Sequence, residues 1–366
     1  MLDQTFRSIA KYAYALNQGP ARFVMDPLYE AVCARLLPDS IPLSKGLNAA
    51  DLSGNLYFRY RGVSRRLTYF IEDWDFSQAR PELLTPRQRQ MMHTVALGET
   101  SGSAVASGFL HAFRTDPELA AFFGTWFVEE LNHFIGYHLY LARMGETWPS
   151  QRGLDVARVE WTPYSRDPME LAAANMYQEL VGFLVYSGFS RQAKDPFLAK
   201  MALQFAKDEL RHYKFYQQVV ARKIRAEPRF RRTVLKVILK ATTPYNQVSG
   251  GVNNVLHHLE MGSFYFRKRE YDLFLREVEY LLGTKLEGFF DWFFKGIAPP
   301  CTFCSRELAQ CDCEHYEDGK APETRNPGWW KEVSTTGRRQ GELAMSEWIE
   351  QVRSMGRPRA AVSAQN

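Results

Sequence analysis

The chain has 366 residues, 45% of them hydrophobic, 14% aromatic and 24% charged, with a net charge of +5. That length can bury a sizeable core in one large domain or two smaller ones, and the balance is that of a globular protein, which excludes a disordered or fibrous chain. No apolar, uncharged run reaches about 18 residues, so no membrane span is expected.

The opening "MLDQTFRSIAKYAYALNQG" has an early acid and no apolar core ahead of a small-residue cleavage site. It does not read as an export signal, and the cytoplasm is the expected location. Residues 1–80 form a mixed segment expected to pack on the rest. Within it, "MDPLYEAVCARLL" reads as helix, and "NLYFRYRGVSRRLTYFIEDWDF" is aromatic and partly strand-like. A clear helix start follows in "LTPRQRQMM": Thr85 can cap, Pro86 takes the first helical position and Gln88 can close a capping box. This helix should run to about Arg114, a second from "DPELAAFFGTW" to about Met144, a third from "DPMELAAANMYQELVGFLVYSGF" and a fourth through "DPFLAKMALQFAKDELRHYKFYQQVVARKI". The last three each begin with Asp-Pro, a cap followed by a residue tolerated in the first turn. Four long helices with little strand signal predict an all-α bundle over residues 81–298, with additional helices. A Cys-rich loop at 299–330 and a C-terminal helix with a disordered tail at 331–366 complete the expected organisation.

Chemistry enters with "EELNH" and "DELRH". With 41 acidic residues and 8 histidines in 366 positions, random placement gives roughly one acid-x-x-His, so a single match means nothing. Here Glu130 precedes His133, and Glu209 precedes His212, in two separate apolar helices. Positions i and i+3 share a helix face, and a buried carboxylate needs a partner or a metal. The other two helices each carry a glutamate in apolar or small-residue surroundings, Glu99 in "VALGETSG" and Glu179 in "NMYQELVGF". The order Glu, Glu-x-x-His, Glu, Glu-x-x-His is the ligand pattern of carboxylate-bridged two-metal sites in four-helix bundles. The mixed oxygen and nitrogen set suits iron or manganese better than a thiol-seeking metal. His93, His111 and His138 fall outside the pattern and read as ordinary core or surface histidines.

The segments "TWFVEELNH", "YQELVGFLVYSGFSRQAKDP" and "AKDELRHYKFYQQVV" resemble the soluble acyl-carrier-protein desaturases of the ferritin-like superfamily, over about residues 85–220. The resemblance implies iron ligands at Glu99, Glu130, His133, Glu179, Glu209 and His212, with Glu130 and Glu209 bridging and Glu99 and Glu179 terminal. It places Trp126 one turn before the first motif, and it makes Glu129 and Asp208 the acids that orient the imidazoles. It further implies a diiron centre, dioxygen as co-substrate and electrons from a ferredoxin-type donor. The family usually has threonine three residues after the third-helix glutamate; here it is Gly182, which removes a hydroxyl and is expected to enlarge the space beside the metals. A hydroxylase, an N-oxygenase or a specialised desaturase of a natural-product pathway therefore stays open, as does a non-catalytic iron-binding protein. Larger arylamine N-oxygenases often carry an extra histidine where this chain has Phe205, and a ribonucleotide-reductase small subunit would have aspartate in place of Glu99.

Two further features stand outside that pattern. Arg222, Lys223, Arg225, Arg229, Arg231, Arg232, Lys236 and Lys240 form a dense basic stretch after the fourth helix. It reads either as a solvated face or as a dock for an acidic carrier protein bearing the substrate as a thioester. Nucleic acid has no recognisable motif here, and a homodimer is open. In "PPCTFCSRELAQCDCEHYEDG", Cys301, Cys304, Cys311 and Cys313 can converge on one zinc ion, with His315 a possible replacement ligand.

Overall fold

The computed structural model describes residues 30, 33–34, 37–146, 165, 167–242 and 268–285. Their helices are α1 (Lys45–Ala49), α2 (Leu56–Ser64), α3 (Pro86–Phe113), α4 (Pro117–Arg143), α5 (Pro168–Gln192), α6 (Pro196–Ala226), α7 (Phe230–Thr242) and α8 (Lys268–Leu282). Three short 3-10 turns lie between α2 and α3. There is no strand among the described residues, so the all-α expectation holds. The Cys-rich loop and the C-terminal tail lie outside the described residues.

The long helices begin where local chemistry dictates. Thr85 and Gln88 form the expected capping box, with Gln88 N donating to Thr85 Oγ1 at 3.2 Å. Asp116, Asp167 and Asp195 each accept hydrogen bonds from backbone amides of the first turn, and each is followed by proline, whose missing N–H has no partner to lose there. The stretch expected to be partly strand-like is helical instead: Asn55 caps α2, its side chain accepting from Phe58 N. The apolar residues Leu56 and Tyr60 are four apart and face inward, a helical period that the neighbouring exposed aromatics Phe58 and Phe70 obscure in the sequence.

Packing joins α3 to α4 and α5 to α6 along much of their lengths, while α2 lies over α4 and α6. Aromatic side chains fill the seams. Phe122 of α4 stacks on Phe215 of α6 with ring centroids 3.8 Å apart, and Tyr60 meets both edge-on. Each such buried ring contributes about 1.5–3 kcal/mol. Together they fix the rotation of α4 against α6, which decides where the polar side chains of those helices point.

Asp195 shows how the ends are fixed. Fully buried, it caps α6 through Phe197 N at 2.8 Å, accepts Arg80 N at 2.9 Å and takes the Tyr140 hydroxyl of α4 at 2.5 Å. Asp195→Ala should lower the unfolding free energy by about 3 kcal/mol, the loss of a cap plus two hydrogen bonds to a buried charge. Chemical denaturation of the metal-free chain measures it, and a loss below about 1 kcal/mol would mean that water replaces these bonds.

Candidate metal centre

The same helix rotation brings six expected side chains together: Glu99 from α3, Glu130 and His133 from α4, Glu179 from α5, and Glu209 and His212 from α6. Donor atoms of Glu130, Glu179, Glu209 and His212 lie within 4.8 Å of one another, and so do those of Glu99, His133 and Glu209. Glu209 belongs to both groups. His133 Nδ1 is 3.2 Å from Glu130 and 3.6 Å from Glu209; His212 Nδ1 is 3.0 Å from Glu130, 3.2 Å from Glu179 and 4.0 Å from Glu209. Glu130 and Glu209 thus sit between the two imidazoles, while Glu99 groups with His133 and Glu179 with His212.

The acid beside each motif glutamate holds the histidine of the other helix. Glu129, on α4, meets His212 Nε2 at 2.8 Å; Asp208, on α6, meets His133 Nε2 at 3.4 Å. An ionised carboxylate can only accept, so each neutral imidazole keeps its proton on Nε2 and turns the Nδ1 lone pair into the cluster. Both acids are themselves held. Tyr60 and Ser64 of α2 donate to Glu129, Tyr69 donates to Asp208 at 2.6 Å, and Arg211 meets Asp208 at 2.6 Å and Glu129 at 3.6 Å. Trp126 Nε1 donates to Glu179 at 2.8 Å, and the Tyr186 hydroxyl donates to Glu99.

Charge decides what the cluster can be. Six buried or nearly buried carboxylates face one guanidinium, which leaves five negative charges when all are ionised and the imidazoles are neutral. Without a metal, protons must compensate. Burial pushes Glu99 up to about 8 and raises Glu209, which the neighbouring Glu130 and Glu179 raise further. Burial would also raise Glu130, but the charges of the two protonated imidazoles beside it outweigh burial and hold that group at about 2. Burial opposes charge on His133 too, yet Glu130 and Asp208 bring it up to about 10. Two divalent cations would supply four positive charges to the same volume. Glu130 Oε1 and His133 Nδ1 are buried there without a hydrogen bond, as donors awaiting a cation would be. The oxygen-rich set with two imidazoles fits iron or manganese.

Residues 151–260 match the model of a family described as Fatty acid desaturase. The matched stretch includes Glu179, Glu209 and His212, and it supports a fatty acid desaturase-like oxidoreductase carrying out oxygen-dependent acyl desaturation or a related oxidation. No curated protein matches the chain. No helix among the described residues is long and apolar enough to cross a membrane.

The remaining expected positions fall as follows. Phe205 is buried with its ring 4.4 Å from that of His133. Gly182 does not enlarge the space beside the cluster: a Cβ there would lie 2.9 Å from Glu209 Cδ, so the carboxylate already occupies that volume. The basic stretch is engaged within the chain. Arg231, expected on a docking face, is 3% exposed and donates to the carbonyls of Ile41, Pro42, Pro228 and Leu282. Arg222 pairs with Glu118, Lys223 with Glu227, Arg229 and Arg232 with Asp39, and Arg225 donates to Ala50 O. Cys301, Cys304, Cys311, Cys313 and His315 lie outside the described residues. Sequence reasoning missed Tyr60, Ser64, Tyr69, Tyr186 and Arg211. Only Tyr186 had a signal, seven residues beyond Glu179 on the same helix face.

His138 lies apart, against Phe134 and 3.1 Å from Thr100 Oγ1. Burial pushes it down from 6.5 to about 4. Between those values the unfolded chain binds the proton and the folded chain does not, so this group's contribution is present above 6.5 and is lost as pH falls towards 4. The melting temperature of His138→Gln should therefore fall less steeply than that of the wild type across this window. Parallel curves would refute the assignment.

Proposed function

We propose that the protein is an O2-dependent diiron oxidoreductase that desaturates or hydroxylates an acyl chain presented on an acyl-carrier protein. One observation carries the reading: the Nδ1 atoms of two histidines enter a four-carboxylate cluster in which Glu209 belongs to both donor groups. Two iron ions bound there would supply the activation of dioxygen needed to attack an unactivated C–H bond. Glu99, Glu130, His133, Glu179, Glu209 and His212 would hold them.

The chain's own residues have separable tasks. Glu129, Asp208 and Arg211 fix the imidazole orientation, and Trp126 and Tyr186 fix the two terminal carboxylates. Phe122, Phe205 and Phe215 keep water from the cluster. A ferredoxin-type donor would bring the electrons that the substrate does not. A carrier would meet the exposed remainder of the basic stretch, above all Arg229, whose side chain is 75% exposed. The four cysteines from Cys301 to Cys313 would hold a structural zinc ion, with His315 as an alternative ligand. Oxygen insertion is the second reading of the chemistry, and Gly182 favours it, because the hydroxyl expected three residues after Glu179 is absent.

The purified protein should contain about two irons and one zinc per chain. Glu130→Ala should lose the iron and keep the zinc, and Cys304→Ser the reverse. Iron untouched by Glu130→Ala would end the diiron reading. After one turnover, the intact mass of a carrier-bound acyl chain should fall by about two units for desaturation or rise by about sixteen for oxygen insertion. An unchanged mass with iron bound would favour a non-catalytic iron protein.

A further inference from the structure

Three positions of α5 face the cluster, and each meets a carboxylate. Glu179 provides one, and Tyr186 donates to Glu99. Between them, Gly182 lies against Glu209 of the neighbouring helix α6. A Cβ built on Gly182 would stand 2.9 Å from Glu209 Cδ, 3.0 Å from Oε1 and 3.2 Å from Oε2, closer than side chains tolerate. Something would have to move. The backbones of α5 and α6 are packed together along much of their lengths, with Leu180, Val181, Leu184, Ala202, Phe205 and Ala206 buried around the contact. Close-packed interiors of that kind yield little. The carboxylate is the free end of a flexible side chain, so it is the group that moves.

We infer that Gly182 is a positioning residue: the bare helix backbone is the seat on which the Glu209 carboxylate rests between the two imidazoles. The inference rests on the diiron reading for its functional consequence, though not for its geometry. Glu209 is the side chain common to both donor groups, 3.6 Å from His133 Nδ1 and 4.0 Å from His212 Nδ1. Displacing it therefore disturbs both halves of the centre at once. A glycine inside a buried helix is otherwise a poor choice, since alanine holds a helix better. Its presence here is explained by the ligand that leans on it. The same contact excludes any larger side chain, a hydroxyl-bearing one included, while Glu209 keeps this place.

Gly182→Ala tests the seat, with Gly124→Ala as control, because a Cβ at Gly124 of α4 meets nothing within 4 Å. Crystal structures of the metal-free proteins come first. In Gly182→Ala the Glu209 carboxylate should move by about 1 Å or more, with the helices in place; an unmoved carboxylate overturns the inference. Anaerobic titration with ferrous iron follows. Gly182→Ala should bind iron about tenfold or more weakly than the wild type, as expected when a ligand loses its support, while Gly124→Ala matches the wild type and neither metal-free variant melts lower. Wild-type affinity in Gly182→Ala would overturn the functional consequence. A wild type that binds no iron, beside a displaced Glu209 in the variant, would sink the diiron reading and leave the seat standing.

Discussion

Negative charge gathered inside an apolar bundle is the constraint from which the rest of this structure follows. Glu99, Glu130, Glu179 and Glu209 share one small volume with His133 and His212, and Glu129 and Asp208 lie just behind. Isolated carboxylates in such surroundings would protonate or unfold the chain. The bundle answers with hydrogen-bond donors at the periphery and, on our reading, with two cations at the centre. Trp126, Tyr186, Tyr60, Ser64, Tyr69 and Arg211 each have an acid as partner. The aromatic seams around Phe122 and Phe215 then hold the helices at the rotation that makes this possible.

The crossed pairing of acids and imidazoles ties the two Glu-x-x-His helices into one unit. His133 depends on Asp208 of α6, and His212 on Glu129 of α4. Neither helix can rotate without loosening the histidine of the other. Arg211 reaches both acids and so couples the two supports. α2 joins this arrangement through Tyr60 and Ser64, which makes part of the N-terminal segment a working element of the centre.

Much of this was legible in the sequence because it rests on local rules. Asp-Pro and the Thr85–Gln88 pair marked the helix starts, since capping is decided within four residues. The i, i+3 spacing put each glutamate and histidine on one face, and the order of the four helices supplied the rest of the cluster. What stayed hidden depends on contacts between distant segments. That Glu129 serves His212 follows from how α4 meets α6, which no spacing encodes. Tyr60 and Ser64 sit in a stretch whose exposed aromatics blurred its helical period. Gly182 read as open space because a missing side chain says nothing about which neighbour fills the gap. Arg231 read as surface charge, yet three carbonyls from distant segments, with a fourth from nearby Pro228, claim it.

On the proposed reading, two metal ions would be held in one cluster by Glu209, Glu130 and their neighbours. Anomalous diffraction at the iron edge, from crystals of the iron-loaded protein, tests it most directly. Two iron peaks should appear within the four-helix cluster, one beside His133 Nδ1 and the other beside His212 Nδ1. A single peak, ligation through Nε2, or iron bound outside the four helices would contradict it.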